Sequence, residues 1–298
     1  MSNLTEKEAE DNFLGQFIPV HYHHNMLMDQ NRMTNFKAAI EYVVKPGHKV
    51  MELGGGTAVL SWFAAAAGAE KVWCVEYNPD MVKEARRFLA LNQHGHKVEV
   101  IHANAFEYLP PEPVDAVICE MIHVAMLREK QIEMMESFKR RYRERFGADI
   151  ALPILIPTAV VMAAQPLHEN YSFEGYQAPI IQFQQVPGDF SATTEMAPHE
   201  VYSVLDFIEP TSMDIAWEGN FVMNQDGTVN AIRIITKNIL AITENSSTID
   251  WLNHFLALPL TNPVKVNSGD TLRVSFKYRA GDTFTPLLNS LRAEVIGK

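Results

Sequence analysis

The run Val50-Met51-Glu52-Leu53-Gly54-Gly55-Gly56-Thr57-Ala58-Val59-Leu60-Ser61 joins an apolar strand to a helical segment through consecutive glycines. Glycines at such a turn let the backbone approach a ligand closely. Glu76 ends the next apolar run, Lys71-Val72-Trp73-Cys74-Val75, where an acid can grip ribose hydroxyls. This is an α/β nucleotide-pocket layout. A strand–turn–helix whose glycines serve packing alone is the plainer alternative.

The surrounding pattern supports an α/β unit. Helices are expected over Glu6–Gln16 and Asn25–Val44, the second stopped by Pro46-Gly47. Strands and helices then alternate: Lys49–Leu53, Val59–Ala67, Lys71–Glu76, Pro79–Asn92, Val98–Ala103, Val114–Glu120 and Glu129–Phe146. Such alternation implies parallel strands with crossover helices on both faces. After about Gly147 the chain changes to short runs rich in Val, Ile, Phe and Thr. These are Thr158–Gln165, Ile180–Val186, Val201–Ile208, Met213–Met223, Thr228–Thr243, Thr271–Tyr278 and Leu291–Ile296. Hairpin-type turns stand at Asn224-Gln225-Asp226-Gly227 and Asn267-Ser268-Gly269-Asp270. The expected division is an N-terminal helical cover over residues 1–45, a Rossmann-like domain over 46–150 and a smaller antiparallel β-barrel-like domain over 151–298.

Composition narrows the partners. The formal charge of −11 argues against a nucleic-acid backbone as ligand and suits a neutral or cationic substrate. Met1–Asn12 is polar and acidic, unlike a signal peptide, and Ile150–Ala164 is interrupted by Pro153 and Pro157 and too short for a bilayer. Cys74 and Cys119 sit in apolar strand patterns, as reduced core residues of a cytoplasmic protein do. No membrane partner is expected.

The first glycine pair is Gly54-x-Gly56, but Val59 fills the third glycine position of a dinucleotide fingerprint, which disfavours a nicotinamide oxidoreductase. Glu52-x-Gly54-x-Gly56 instead resembles motif I of class I S-adenosylmethionine-dependent methyltransferases. Ala58 stands at that motif's third position in place of glycine. The resemblance implies S-adenosylmethionine as cofactor, with Glu52 facing its amino-acid part and Glu76 its ribose. It sets Asn104 and Ala105, after the third strand, at the adenine.

His23-His24-Asn25-Met26-Leu27-Met28-Asp29-Gln30-Asn31-Arg32 resembles the N-terminal helix of the protein arginine methyltransferases. It implies that Arg32 pairs with the cofactor's carboxylate, that Met26 packs near the sulfonium and that His23 lies on the cofactor side. Bidentate carboxylate recognition suits arginine. The plainer reading of Arg32 is an exposed helical arginine. Asp115-Ala116-Val117-Ile118-Cys119-Glu120-Met121 resembles the family's fourth strand and the start of its double-glutamate loop, which makes Glu120 the acceptor-orienting acid. Ile122–Leu127 then departs from that loop and holds no second glutamate. Arginine carries a pKa above ~12, so its methylation calls for carboxylates that orient the guanidinium. Losing one would cost several kcal/mol in the transition state. The expected acceptor is therefore a small-molecule or amino-acid-like nitrogen compound, with protein arginine and a non-catalytic regulatory protein as alternatives.

His123 is the candidate proton acceptor, or else merely closes the loop. His21, His23 and His24 lack the spacing of a metal site, so no metal is expected. Thr248–Phe255 resembles the family's Thr-His-Trp loop, with Asp250 in the histidine's place. Pro198–Met213 is too short for the family's dimerisation arm, which leaves homodimerisation open. The basic run Lys139–Arg145 is expected to be a solvated helix face.

Overall fold

The computed structural model describes Ile18 and residues 20–297; the helix expected over Glu6–Gln16 lies outside them. Apolar strands buried on both faces need cover on both sides, and the first half of the chain supplies it. Helices α1 (Val20–Met28), α2 (Gln30–Val43), α3 (Val59–Ala66), α4 (Pro79–Ala90) and α5 (Gln131–Phe146) accompany strands β1 (Lys49–Leu53), β2 (Lys71–Glu76), β3 (Val98–His102), β4 (Ala116–Cys119) and β5 (Ile154–Ile156). The strands pair in parallel in the order β3-β2-β1-β4-β5. Val50, Met51, Leu53, Val72, Cys74, Val75 and the whole of β4 are buried. The order reverses between β1 and β4, so a crevice opens at their carboxyl ends.

The helix expected over Asn25–Val44 is two helices. Asp29 adopts an extended conformation (φ −69°, ψ 90°), and its carboxylate accepts the Arg32 N–H at 2.9 Å, capping α2. An aspartate at this position satisfies an amide that the helix itself leaves unpaired. The break sets Met26 on α1 and Arg32 in the first turn of α2.

Strand β5 pairs with β4, so the parallel sheet runs to Ile156, several residues beyond the boundary expected at 150. The remaining strands are β6 (Ala159–Glu169), β7 (Ser172–Phe173), β8 (Tyr176–Gln177), β9 (Gln182–Gln184), β10 (Thr193–Glu195), β11 (Glu200–Asp206) and β12 (Asp214–Val222). They continue through β13 (Gly227–Ile242), β14 (Thr248–Leu252), β15 (Phe255–Val266), β16 (Thr271–Arg279) and β17 (Arg292–Gly297), with α6 (Phe284–Ser290) before the last. All these pairings are antiparallel, and β13 is the centre of a seven-stranded sheet beside a three-stranded one. Thr248–Leu252, read as a loop from sequence, is a strand on the edge of β13.

Helix α2 joins the two halves. Phe36, Ala39, Ile40 and Val43 form its buried stripe at i, i+3, i+4 and i+7. The Phe36 ring lies 5.8 Å from that of Trp251 on β14, and the Tyr42 hydroxyl accepts the Glu244 N–H at 2.9 Å. The expected solvated face on α5 is corrected in part. Lys139 is buried and donates to the Glu209 carbonyl at 2.6 Å, while Arg141 donates to the Phe106 carbonyl at 2.7 Å. Arg140 alone makes an exposed (i, i+4) pair, with Glu144.

Truncating the fully buried Phe36 to alanine leaves a cavity where the helical cover meets the β domain. The expected cost is about 3–5 kcal/mol. Urea unfolding of Phe36→Ala checks it, and a loss below ~1 kcal/mol would show that α2 does not hold the halves together.

Candidate active site

A cavity of about 450 Å³ occupies the crevice at the carboxyl ends of β1, β2 and β4. Its size falls in the range of small-molecule sites, roughly 300–1,000 Å³. The glycine turn forms its floor, with Gly54 at φ 72° and Gly56 at φ 52°, both left-handed. A Cβ on Gly55 would lie 2.1 Å from Cys74 Sγ, and one on Gly56 would lie 2.9 Å from His23 Cε1. Gly55 has no room for a Cβ, and at Gly56 the left-handed backbone together with the His23 ring favours glycine. Ala58 is also left-handed, at φ 63°, and starts α3 without a side-chain cap.

Each sequence-predicted cofactor residue lines this cavity: His23, Met26, Arg32, Glu52, Gly54, Gly56, Glu76, Asn104 and Ala105. Glu76 accepts the Gly56 N–H at 2.8 Å through one oxygen and the Asn78 N–H at 2.7 Å through the other, which fixes its carboxylate against the glycine turn. Asn104 Oδ1 accepts the Phe106 N–H at 3.0 Å and shapes the turn after β3. Glu52 is buried, and its Oε2 accepts from both the amide and the hydroxyl of Ser61. It therefore clasps the first turn of α3 onto β1. Burial pushes its carboxyl up to about 7, against the lowering effect of the Ser61 bonds. Burial also lowers the His23 imidazole, helped by the Arg32 charge.

Arg32 is nearly buried and forms an ion pair with Glu120. Its guanidinium lies 5.5 Å from the Phe36 ring centroid and 6.0 Å from that of Trp251, so a β-domain ring helps to hold it. It is not an exposed helical arginine.

Glu120 follows β4 directly. Gln131, buried at the start of α5, grips both its neighbours: Nε2 donates to the Cys119 carbonyl at 2.9 Å, and Oε1 accepts the Met121 N–H at 2.9 Å. A second carboxylate lines the same cavity. Glu129 was placed at the head of a helix from sequence, but α5 begins at Gln131, and Glu129 belongs to the preceding loop. Burial and the Glu120 charge push its carboxyl well above the ordinary carboxylate range, opposed by Arg32 and Arg128. The signal that could have found it is its distance from Glu120, a loop's length and still before α5.

His123 does not line the cavity. It sits in an aromatic niche, with ring centroids 5.6 Å from Phe183 and 5.4 Å from Phe284, and burial lowers its imidazole to about 4. The structure thus places His123 beside the cavity lining, in contact with β-domain and C-terminal aromatic rings.

The cavity suits S-adenosylmethionine. A glycine cradle crowded at Gly55 and Gly56, a carboxylate fixed beside it and a nearly buried arginine match a nucleoside carrying an amino acid. A methyltransferase-domain family model matches residues 50–145. Protein arginine N-methyltransferase 1 of Caenorhabditis elegans is 33% identical over 144 residues, 46% of this chain and 41% of that protein. An arginine N(omega)-methyltransferase of Streptomyces achromogenes is 22% identical over 271 residues, 84% of this chain and 74% of that protein. The structure of the Trypanosoma brucei PRMT1 enzyme–prozyme heterotetrameric complex with AdoHcy superposes with a TM-score of 0.72 at 16% identity, covering 94% of this chain and 98% of that one. The chain is a class I S-adenosylmethionine-dependent methyltransferase related to the protein arginine methyltransferases.

S-adenosylmethionine is the cofactor of this methyltransferase. Among its described residues no helix is long and apolar enough to cross a membrane. The Glu52 clasp makes its stability depend on pH. The folded enzyme keeps a proton on Glu52 up to about 7, whereas the unfolded chain releases it near 4.5. Between these values the folded state binds more protons, so this contribution is complete below the lower value and fades as pH rises through the upper one. Glu52→Gln retains an acceptor for Ser61 and removes the fading. Urea unfolding at pH 8 should show the variant gaining on the order of 2 kcal/mol over wild type, with little difference below pH 4.5. Parallel pH profiles would contradict the assignment.

Proposed function

We propose that this methyltransferase methylates a terminal nitrogen of a guanidinium in an arginine-like acceptor. The observation that carries the proposal is the pair of carboxylates, Glu120 and Glu129, in one cavity with Arg32. Ile122–Leu127 holds no second glutamate, but Glu129 supplies that group just beyond it. The Streptomyces relative, named as an arginine N(omega)-methyltransferase, aligns over most of both chains.

In this reading Arg32 pairs with the cofactor's carboxylate as well as with Glu120. Glu76 holds the ribose, Asn104 and Ala105 border the adenine, and His23 and Met26 cover the cofactor from α1. S-adenosylmethionine brings a methyl group already activated by its sulfonium. The protein's task is to hold one guanidinium nitrogen in line with that methyl in a dry site. Glu120 and Glu129 accept hydrogen bonds from the guanidinium and fix its plane. The methylated nitrogen sheds one proton, so the product remains a monocation. Glu129, whose affinity for protons burial and Glu120 raise, takes up that proton.

An arriving guanidinium favours the ionised form of Glu129, so binding lowers its raised pKa and releases a proton between the bound and free values. Calorimetry of L-arginine binding at pH 7, in the presence of S-adenosylhomocysteine and in buffers of different ionisation heat, should register that release. Glu129→Gln should abolish the release and lower turnover by about a hundredfold or more, with S-adenosylhomocysteine affinity within about twofold of wild type. Wild-type turnover by the variant would refute the role. A peptide carrying one internal arginine, run beside free L-arginine, distinguishes a protein acceptor from a free one.

A further inference from the structure

The two acceptor carboxylates are held by different halves of the protein. Gln131 of the α/β domain grips the backbone on both sides of Glu120. The backbone leading to Glu129 is held by the β domain. The Ala125 N–H donates to Thr236 Oγ1 at 2.8 Å, the Met126 carbonyl accepts the Gly281 N–H at 2.8 Å, and the Arg128 N–H donates to the Asp282 carbonyl at 2.8 Å. Ala125, Met126 and Arg128 all lie in the left-handed region, with φ of 61°, 55° and 63°. Residues with a Cβ adopt that region only where the surroundings impose it. Two of the three β-domain bonds come from backbone groups in the turn between β16 and α6. The third comes from a side chain that nothing else in the fold requires to be polar. Thr236 is fully buried on the central strand β13, opposite Met162 of β6 and between Ile234 and Asn238 on its own face.

We propose that Thr236 is a positioning residue for methyl transfer: its hydroxyl holds the left-handed turn at Ala125–Met126 and thereby places the Glu129 carboxylate in the acceptor cavity. The proposal rests on the guanidinium reading for its turnover readout alone. Without the Thr236 acceptor, the buried Ala125 N–H has no partner in the observed conformation. The turn then relaxes toward right-handed dihedrals and carries Glu129 away from Glu120 and toward water. Among the described residues, the hydrogen bonds of Ala125 and Met126 run within the loop and to the β domain, not to α1, β1, β2 or α2, so the cofactor half of the site stays intact.

The test uses the full chain as wild type, Thr236→Val and Thr236→Ser. Valine matches threonine in shape without an acceptor, and serine keeps the hydroxyl. Carbon-labelled glutamate, with the Glu129 signal assigned by its loss in Glu129→Gln, reports the Glu129 titration beside Glu120, Arg32 and Arg128. In Thr236→Val its midpoint should move by about one pH unit or more toward the ordinary carboxylate value, and Thr236→Ser should restore it. Turnover of L-arginine should fall about tenfold or more in Thr236→Val, chiefly in kcat, with S-adenosylhomocysteine affinity within about twofold of wild type. A Thr236→Val enzyme with wild-type Glu129 titration and wild-type kcat would overturn the proposal. Should Thr236→Val not fold, amide exchange in wild type decides: protection of the Ala125 N–H supports the clamp, and exchange at the rate of exposed amides overturns it. Absence of guanidinium turnover in wild type would refute the acceptor assignment while the titration still judges the clamp.

Discussion

Two carboxylates facing one small, poorly solvated cavity repel one another. The protein meets this with an ion pair and a proton: Arg32 neutralises Glu120, and Glu129 gains proton affinity from burial and from Glu120. Much of the rest of the fold serves this arrangement. Asp29 breaks the N-terminal helix so that Arg32 starts a new one, and Phe36 and Trp251 flank its guanidinium. In the proposed function, a guanidinium would relieve the remaining repulsion by substituting for the proton.

The two domains divide the labour. The parallel sheet builds the donor side, where the glycine turn excludes side chains and Glu76 is bonded at both oxygens. The acceptor side is assembled across the boundary. Gln131 fixes Glu120 from one domain, and the bonds from Thr236, Gly281 and Asp282 fix the approach to Glu129 from the other. The β domain thus bonds directly to the left-handed turn at Ala125–Arg128 that leads to Glu129.

The donor side was legible in the sequence because its chemistry is local. Glu52, Gly54 and Gly56 are neighbours in the chain, Glu76 ends the adjacent strand, and β1 and β2 have the bounds their apolar runs suggest. The acceptor side was not, because it depends on long-range contacts. Glu129 looks helical in a run of charged and apolar residues, and only the end of α5 at Gln131 assigns it to the loop. His123 looked catalytic from its place beside Glu120, but the turn that follows carries it to Phe183 and Phe284, residues far along the chain. Lys139 and Arg141 read as a solvated face, and their partners are carbonyls of distant loops. Thr236 carries no signal of its own in a strand that mixes apolar residues with Asn230, Arg233, Lys237 and Asn238.

In the proposed function the paired carboxylates choose a guanidinium as the methyl acceptor. Its most direct test incubates the enzyme with isotopically labelled S-adenosylmethionine and a mixture of L-arginine, an arginine-containing peptide, lysine and histidine, and locates the label by fragment mass spectrometry. Label is expected on a terminal guanidino nitrogen, with one S-adenosylhomocysteine formed per methyl transferred. Label on an α-amine, an ε-amine or an imidazole, with the guanidinium untouched, would contradict it.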